Sequence, residues 1–178
     1  MIMSCASMLQ MTSILSTGSV FLSSRLDPSN CLGIKQLAAL YDCQDLEAKA
    51  ALFTQENFQE VCTLDEFEQL PHKELATILS ADHLDVVSEE DVFTAIMRWV
   101  KYDSTCRREL LFDLLQHVRF RLLSASFLQR QAHLEPMMTD VAIKCASCTG
   151  GDAWSWVNCD KSSRFSKTRR VSGDSHIR

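Results

Sequence analysis

Cys145-x-x-Cys148, followed by Cys159 and His176, comes nearest in this chain to a set of residues able to do chemistry. Thiolates and imidazoles bind zinc in fours, usually as two closely spaced pairs. Only the first pair has that spacing, so no metal site is expected. His72, His83, His117 and His133 are too scattered to replace the second pair. Glu89-Glu90-Asp91 supplies adjacent carboxylates of the kind that acid–base catalysis uses. They follow Ser88 and lead into an apolar run, where carboxylates complement the positive end of a helix, and that structural role is the expected one. Arg107, Arg108, Arg119 and Arg121 are candidates for an anion site, but surface pairing with acids is the default for such residues. Cys31, Cys43, Cys62 and Cys106 are expected to be small core residues, with none singled out as a reactive thiol. The chain has no glycine-rich phosphate loop, no Gly-x-Ser-x-Gly and no His-Glu-x-x-His. The expectation is a chain that is not an enzyme and uses no cofactor.

Charge divides the chain in two. Lys161, Arg164, Lys167, Arg169, Arg170 and Arg178 stand against Asp174 in the last eighteen residues, although the whole chain carries -5. The remainder is therefore strongly acidic. The basic stretch lacks the repeated aromatic–basic interleaving of a nucleic-acid binder, and a solvated tail is expected. Within it, Arg169-Arg170-Val171-Ser172 has the pattern of a basophilic kinase site, making Ser172 a candidate phosphoacceptor. No run of eighteen apolar residues is present, so no membrane span is expected. Nothing basic precedes Arg25, which argues against a signal peptide and for reduced thiols in the cytoplasm, with the nucleus as a second compartment.

The elements that must position these residues are helical. From Met8, the spacing of Leu9, Ile14, Leu15, Phe21 and Leu22 predicts one amphipathic helix, loosened by Gly18. Asp27-Pro28-Ser29 predicts a corner, and Asn30 the cap of a second helix carrying Leu32, Leu37, Ala38, Leu40 and Tyr41. Asp42 is expected to start a third, which ends near Asn57-Phe58. Thr63-Leu64-Asp65-Glu66 predicts a capping box, and Ser88-Glu89-Glu90-Asp91 a second boxed start. Behind the latter, Val92, Phe93, Ile96, Trp99 and Val100 form a stripe expected to be core. Leu110 to Val118 and Leu122 to Leu128 supply two further helices. Short polar links imply antiparallel neighbours, so the expected fold is all-α, stacked helical hairpins with a disordered tail.

Leu26-Asp27-Pro28-Ser29-Asn30-Cys31-Leu32-Gly33-Ile34, then Asn57-Phe58, Phe67, Leu70-Pro71, Leu75, Ser88-Glu89, Val92-Phe93, Trp99-Val100, Arg107 and Val118-Arg119-Phe120 occur in an order and at intervals that resemble the BACK domain of BTB–BACK–kelch proteins. These are adaptors that tether substrates to cullin-based ubiquitin ligases. The resemblance implies closing helices of a BTB domain over 1–25, a BACK domain over 26–135, and a basic tail without kelch repeats over 136–178. It implies a cullin scaffold protein as partner, bound through the first BACK helix pair, with Leu26, Pro28, Asn30, Cys31 and Leu32 as candidate contacts. Other BTB–kelch family members are further implied partners. It also implies a piece of a longer architecture, without the BTB core or the propeller. Leu9, Ile14, Phe21 and Leu22 would then be left without the BTB surface they normally cover. The competing expectation is an independent α-helical scaffold, cytoskeletal or transcription-linked, working through its basic tail.

Overall fold

The computed structural model describes residues 2–81, 84–124, 126–127 and 130–131. The segment expected to be a disordered tail lies outside the described residues. The fold is all-α, and no β-strand occurs among the described residues. Two compact units are present. One runs to Leu70 and takes in Leu84 and Asp85; the other starts at Pro71 and resumes at Val86.

The first unit opens with two helices, α1 (Ile2–Met8) and α2 (Thr12–Ser23), where the apolar spacing predicts one helix starting at Met8. Gln10 takes a left-handed backbone (φ 53°), which no helix can contain, and Met11 N–H closes the turn onto Ala6 O at 2.8 Å. Leu9 belongs to that turn and is largely exposed. Gly18 is not a loosening residue either. A Cβ there would sit 2.5 Å from Met3 Sδ, so the glycine lets the buried Met3 lie against α2.

After the corner come α3 (Cys31–Leu40) and α4 (Gln44–Glu56), an antiparallel hairpin and the best-packed helix pair of the unit. Ile34, Ala38, Leu46 and Ala50 form its core, with Leu22, Leu26 and Cys43 packed against them. The buried face of α3 is Cys31, Leu32, Ile34 and Ala38, and Leu40, expected on that face, is 73% exposed. Asp42 does not begin α4. It is the left-handed hinge of the hairpin (φ 55°), a conformation that Asp tolerates better than most residues.

Two single turns follow, α5 (Phe58–Val61) and α6 (Asp65–Glu68). Phe58, Val61, Phe67 and Leu70 anchor them in the core, and the Phe58 and Phe67 rings meet edge to face at 5.9 Å. Such a pair adds about 0.5–1.5 kcal/mol to area burial. The box expected at Thr63 does not form. Leu64 is the N-cap, and Thr63 Oγ1 donates backwards to Glu60 O at 2.7 Å. The preceding turn reaches Thr63 first, so its hydroxyl is committed before the next helix starts.

In the second unit, α7 (His72–Leu79) buries Leu75, Ile78 and Leu79. The long α8 (Glu89–Tyr102) starts on the expected box, with Ser88 N–H donating to Asp91 Oδ2 at 3.0 Å. Its stripe is core as expected, and Trp99 is 1% exposed. Burial of each large side chain of this kind is worth about 1.5–3 kcal/mol. The helix expected from Leu110 to Val118 is shorter than its apolar spacing suggests: α9 (Ser104–Arg107) and a 3-10 turn at Arg108–Leu110 lead into α10 (Leu111–Leu115). A second 3-10 turn follows at Phe120–Leu122, and of the helix expected from Leu122 to Leu128, Ser126 and Phe127 are helical while residues 125 and 128 lie outside the described residues.

Candidate partner-binding site

The corner before α3 is built by side chains that fold back on it. Asp27 Oδ1 accepts the Ser29 N–H at 3.0 Å and the Ser29 hydroxyl at 2.8 Å. Those two bonds, the backbone one foremost, hold the Asp27 carboxyl below its ordinary pKa. Asp27 O in turn accepts the N–H groups of Asn30 and Cys31, both at 3.0 Å. Asn30 occupies the cap position but does not cap forward. Its Oδ1 accepts from Asp27 N–H at 2.9 Å and its Nδ2 donates to Arg25 O at 3.0 Å, bracing the end of the preceding segment. Its backbone (φ -127°, ψ -9°) departs from the extended conformation usual at a cap, and the side chain serves the corner instead.

Around this corner, Leu26 is half-buried against the α3–α4 core, and Pro28 and Asn30 are half-exposed. Cys31 and Leu32 are buried, at 0% and 3% exposure. Burial pushes the Cys31 thiol up, against the opposing pull of the Thr54 hydroxyl. Cys31 and Leu32 therefore fix where α3 starts; of the candidate contacts, Leu26, Pro28 and Asn30 keep partial access, beside the exposed Asp27 and Ser29.

A cleft of about 470 Å³ lies between α2 and the tip of the α3–α4 hairpin. One wall is the α2 face of Leu15, Ser16, Ser19, Val20 and Ser23; the other carries Tyr41, Cys43, Asp45 and Lys49. The serine wall is less polar than its composition implies. Ser16, Ser19 and Ser23 donate to Ser13 O, Leu15 O and Val20 O within their own helix, which leaves mainly acceptor lone pairs facing the cleft. Charge is confined to the hairpin wall, in Asp42, Asp45 and Lys49. Such walls suit an extended peptide that offers apolar side chains and backbone donors. Sequence reasoning did not find this cleft, because its walls are helices separated by the corner. The recurrence of Thr12, Ser16, Ser19 and Ser23 along α2 was the available signal.

Glu89, 4% exposed, accepts the Arg119 N–H at 2.9 Å, and Glu90 accepts the Ser124 hydroxyl at 2.7 Å. These acids thus hold a distant segment as well as a helix start. Arg107, expected to pair with acids on the surface, is set against two rings. Its guanidinium lies 4.0 Å over the Trp99 ring and 5.2 Å from Tyr102, and Nη1 donates to Trp99 O at 2.9 Å. That carbonyl is one of the last four of α8, which lack partners within the helix, so the cation sits at the negative helix end. Of the cysteines expected in the core, Cys31 is there, Cys43 and Cys62 are half-buried, and Cys106 is exposed. His72 Nε2 lies 3.0 Å from Asp113 Oδ2. No metal-binding group of His, Cys, Asp or Glu occurs among the described residues. Cys145, Cys148, Cys159, His176 and the candidate phosphoacceptor Ser172 lie outside the described residues. No helix among the described residues is long and apolar enough to cross a membrane.

Comparison with known proteins places this geometry. The family model described as BACK, "BTB And C-terminal Kelch", matches residues 31–133, which span α3 and everything described after it. Kelch-like protein 28 of Mus musculus is 42% identical over 135 residues, covering 76% of this chain and 24% of that protein. The chain thus spans about a quarter of the length of this relative. A helical hairpin entered through a braced Asp-Pro-Ser corner, followed by a boxed helix with a buried Trp stripe, fits that match, and the chain belongs to the BACK family.

Proposed function

We propose that this chain is a non-catalytic adaptor module, which meets a cullin scaffold protein through its first BACK helix pair and spaces it from a substrate reader. BACK family membership and the likeness to Kelch-like protein 28 support the adaptor class. The observation that carries the partner reading is the cleft between α2 and the α3–α4 tip, beside the braced corner. In this reading 1–25 are closing helices of a BTB domain, 26–135 the BACK domain and 136–178 a basic tail without kelch repeats. A peptide segment of the cullin amino-terminal domain occupies the cleft. Pro28 and Asn30 border the contact, while Leu26, Cys31 and Leu32 position it from the core side. The module contributes by tethering, which raises the effective concentration of a bound substrate. Work of this kind belongs to the cytoplasm or nucleus and asks for neither cofactor nor catalytic group.

The test is a titration of the chain with a purified cullin amino-terminal domain. Saturable binding is expected, and Val20→Glu should abolish it. Val20 lines the cleft yet is 67% exposed, so a charge can be placed there without disturbing the core. Equal binding by the wild type and this variant would remove the cleft from the account. Deleting 141–178 should leave cullin binding unchanged. An independent scaffold working through its basic tail would instead lose its partners.

A further inference from the structure

Among the stretches that place a hydroxyl three residues ahead of a carboxylate, two carry further acids in between, Thr63-Leu64-Asp65-Glu66 and Ser88-Glu89-Glu90-Asp91. Both suit a helix start, and both also suit a protein kinase that recognises acidic residues after its acceptor. The structure separates them. At Ser88 the N–H and hydroxyl are both tied to Asp91 Oδ2, at 3.0 and 3.2 Å. The carboxylate next to it, Glu89, is buried on the Arg119 N–H. The groups a kinase would read there are already in use.

Thr63 itself is accessible. It is exposed, and its hydroxyl makes a single local bond to Glu60 O, 2.7 Å away, which a side-chain rotation releases. Asp65 and Glu66 after it are exposed and take no part in a capping box. The surrounding stretch is only lightly covered. Val61 and Phe67 are anchored at 0% exposure, but no residue from Cys62 to Glu66 is fully buried.

We propose that Thr63 is a phosphoacceptor for an acid-directed serine/threonine kinase. Thr63 Oγ1 attacks the γ-phosphorus of ATP while its proton passes to the base of the kinase. The Oγ1–P bond forms, the bond from the γ-phosphorus to the β–γ bridging oxygen breaks, and ADP leaves. The product adds about −1.5 to −2 charge beside Glu60 and Glu66. Like-charge repulsion and the lost Thr63–Glu60 bond then weaken the turn between α5 and α6.

The test uses the intact folded chain, labelled ATP and a constitutively active acid-directed kinase, with sites located by fragmentation mass spectrometry. One phosphate at Thr63 is expected. It should be lost in Thr63→Ala, kept in Thr63→Ser and reduced in Glu66→Gln. Ser88 should stay unmodified in the folded chain and accept phosphate only in an isolated peptide. Circular dichroism of each variant confirms that it is folded. An unmodified Thr63 in the folded chain overturns the proposal, whether or not a peptide covering 60–69 is a substrate. Phosphate on Ser88 with Thr63 untouched overturns it equally.

Discussion

Removing the Glu89 side chain should be among the costliest single truncations near the surface of the second unit. The carboxylate is 4% exposed and accepts the Arg119 N–H at 2.9 Å, a contact spanning thirty residues of sequence. Glu89→Ala leaves that backbone donor without its acceptor, at about 1–3 kcal/mol. It also removes one of the first-turn acids of α8, a further 0.3–1 kcal/mol or so. The expected loss is about 2–3 kcal/mol. Glu89→Gln keeps a carbonyl oxygen in place and should cost under about 1 kcal/mol. Urea unfolding followed by far-UV circular dichroism gives the totals, and amide exchange at Arg119 reports the bond itself. A loss of 2 kcal/mol there corresponds to roughly thirtyfold faster exchange. If Glu89→Ala lies within about 0.5 kcal/mol of the wild type, the buried contact carries no weight and the reasoning fails. If Glu89→Gln is as damaging as Glu89→Ala, the charge matters and the acceptor does not.

Further outcomes follow from the same geometry. Alkylation resolved by residue should label Cys106 and Cys5 fast and Cys31 slowly, since Cys31 is buried and its thiol is held protonated; fast labelling of Cys31 would contradict the core placement. Because its pKa is raised by burial, Cys31 stabilises fully below the unfolded thiol value, and that part is lost as the pH rises through the folded one. Asp27 has the opposite sign. Its lowered pKa contributes stability above the unfolded carboxyl value, lost as the pH falls through the folded one, so Asp27→Ala should flatten the acid limb of an unfolding-versus-pH curve. Arg107→Lys should still destabilise by about 1 kcal/mol in urea unfolding, because an ammonium keeps the charge but not the planar stack on Trp99. Asp42→Val should cost about 1–2 kcal/mol through its left-handed backbone, while Asp42→Asn stays near neutral.

The all-α class was legible because apolar residues recur at helical spacing and strand alternation is missing from the sequence. The Ser88 box formed as expected, since all its groups lie within one turn. Thr63 and Asn30 carry equally good cap signals, yet in both the preceding segment claims the side chain first. Competition between two turns for one short polar side chain cannot be read from either turn alone. Leu9 and Ile14 continue an apolar period across Gln10, and periodicity has no means of registering a single left-handed residue. Arg107 on Trp99 and Glu89 on Arg119 were out of reach for another reason. Each needs the path of the chain between its partners, which spacing within one helix does not supply. The corner at Leu26–Leu32 was found by its residue types, whereas the cleft beside it exists only once α2 and α4 are brought together.

Amide hydrogen exchange of the whole chain, alone and saturated with a cullin amino-terminal domain, tests the central claim most directly. The account predicts new protection on the α2 face from Leu15 to Ser23, at the hairpin tip from Tyr41 to Lys49 and at the Pro28–Asn30 corner, with α8 unchanged. Saturable binding that protects only α8 to α10, or no binding by well-folded chain, would contradict it.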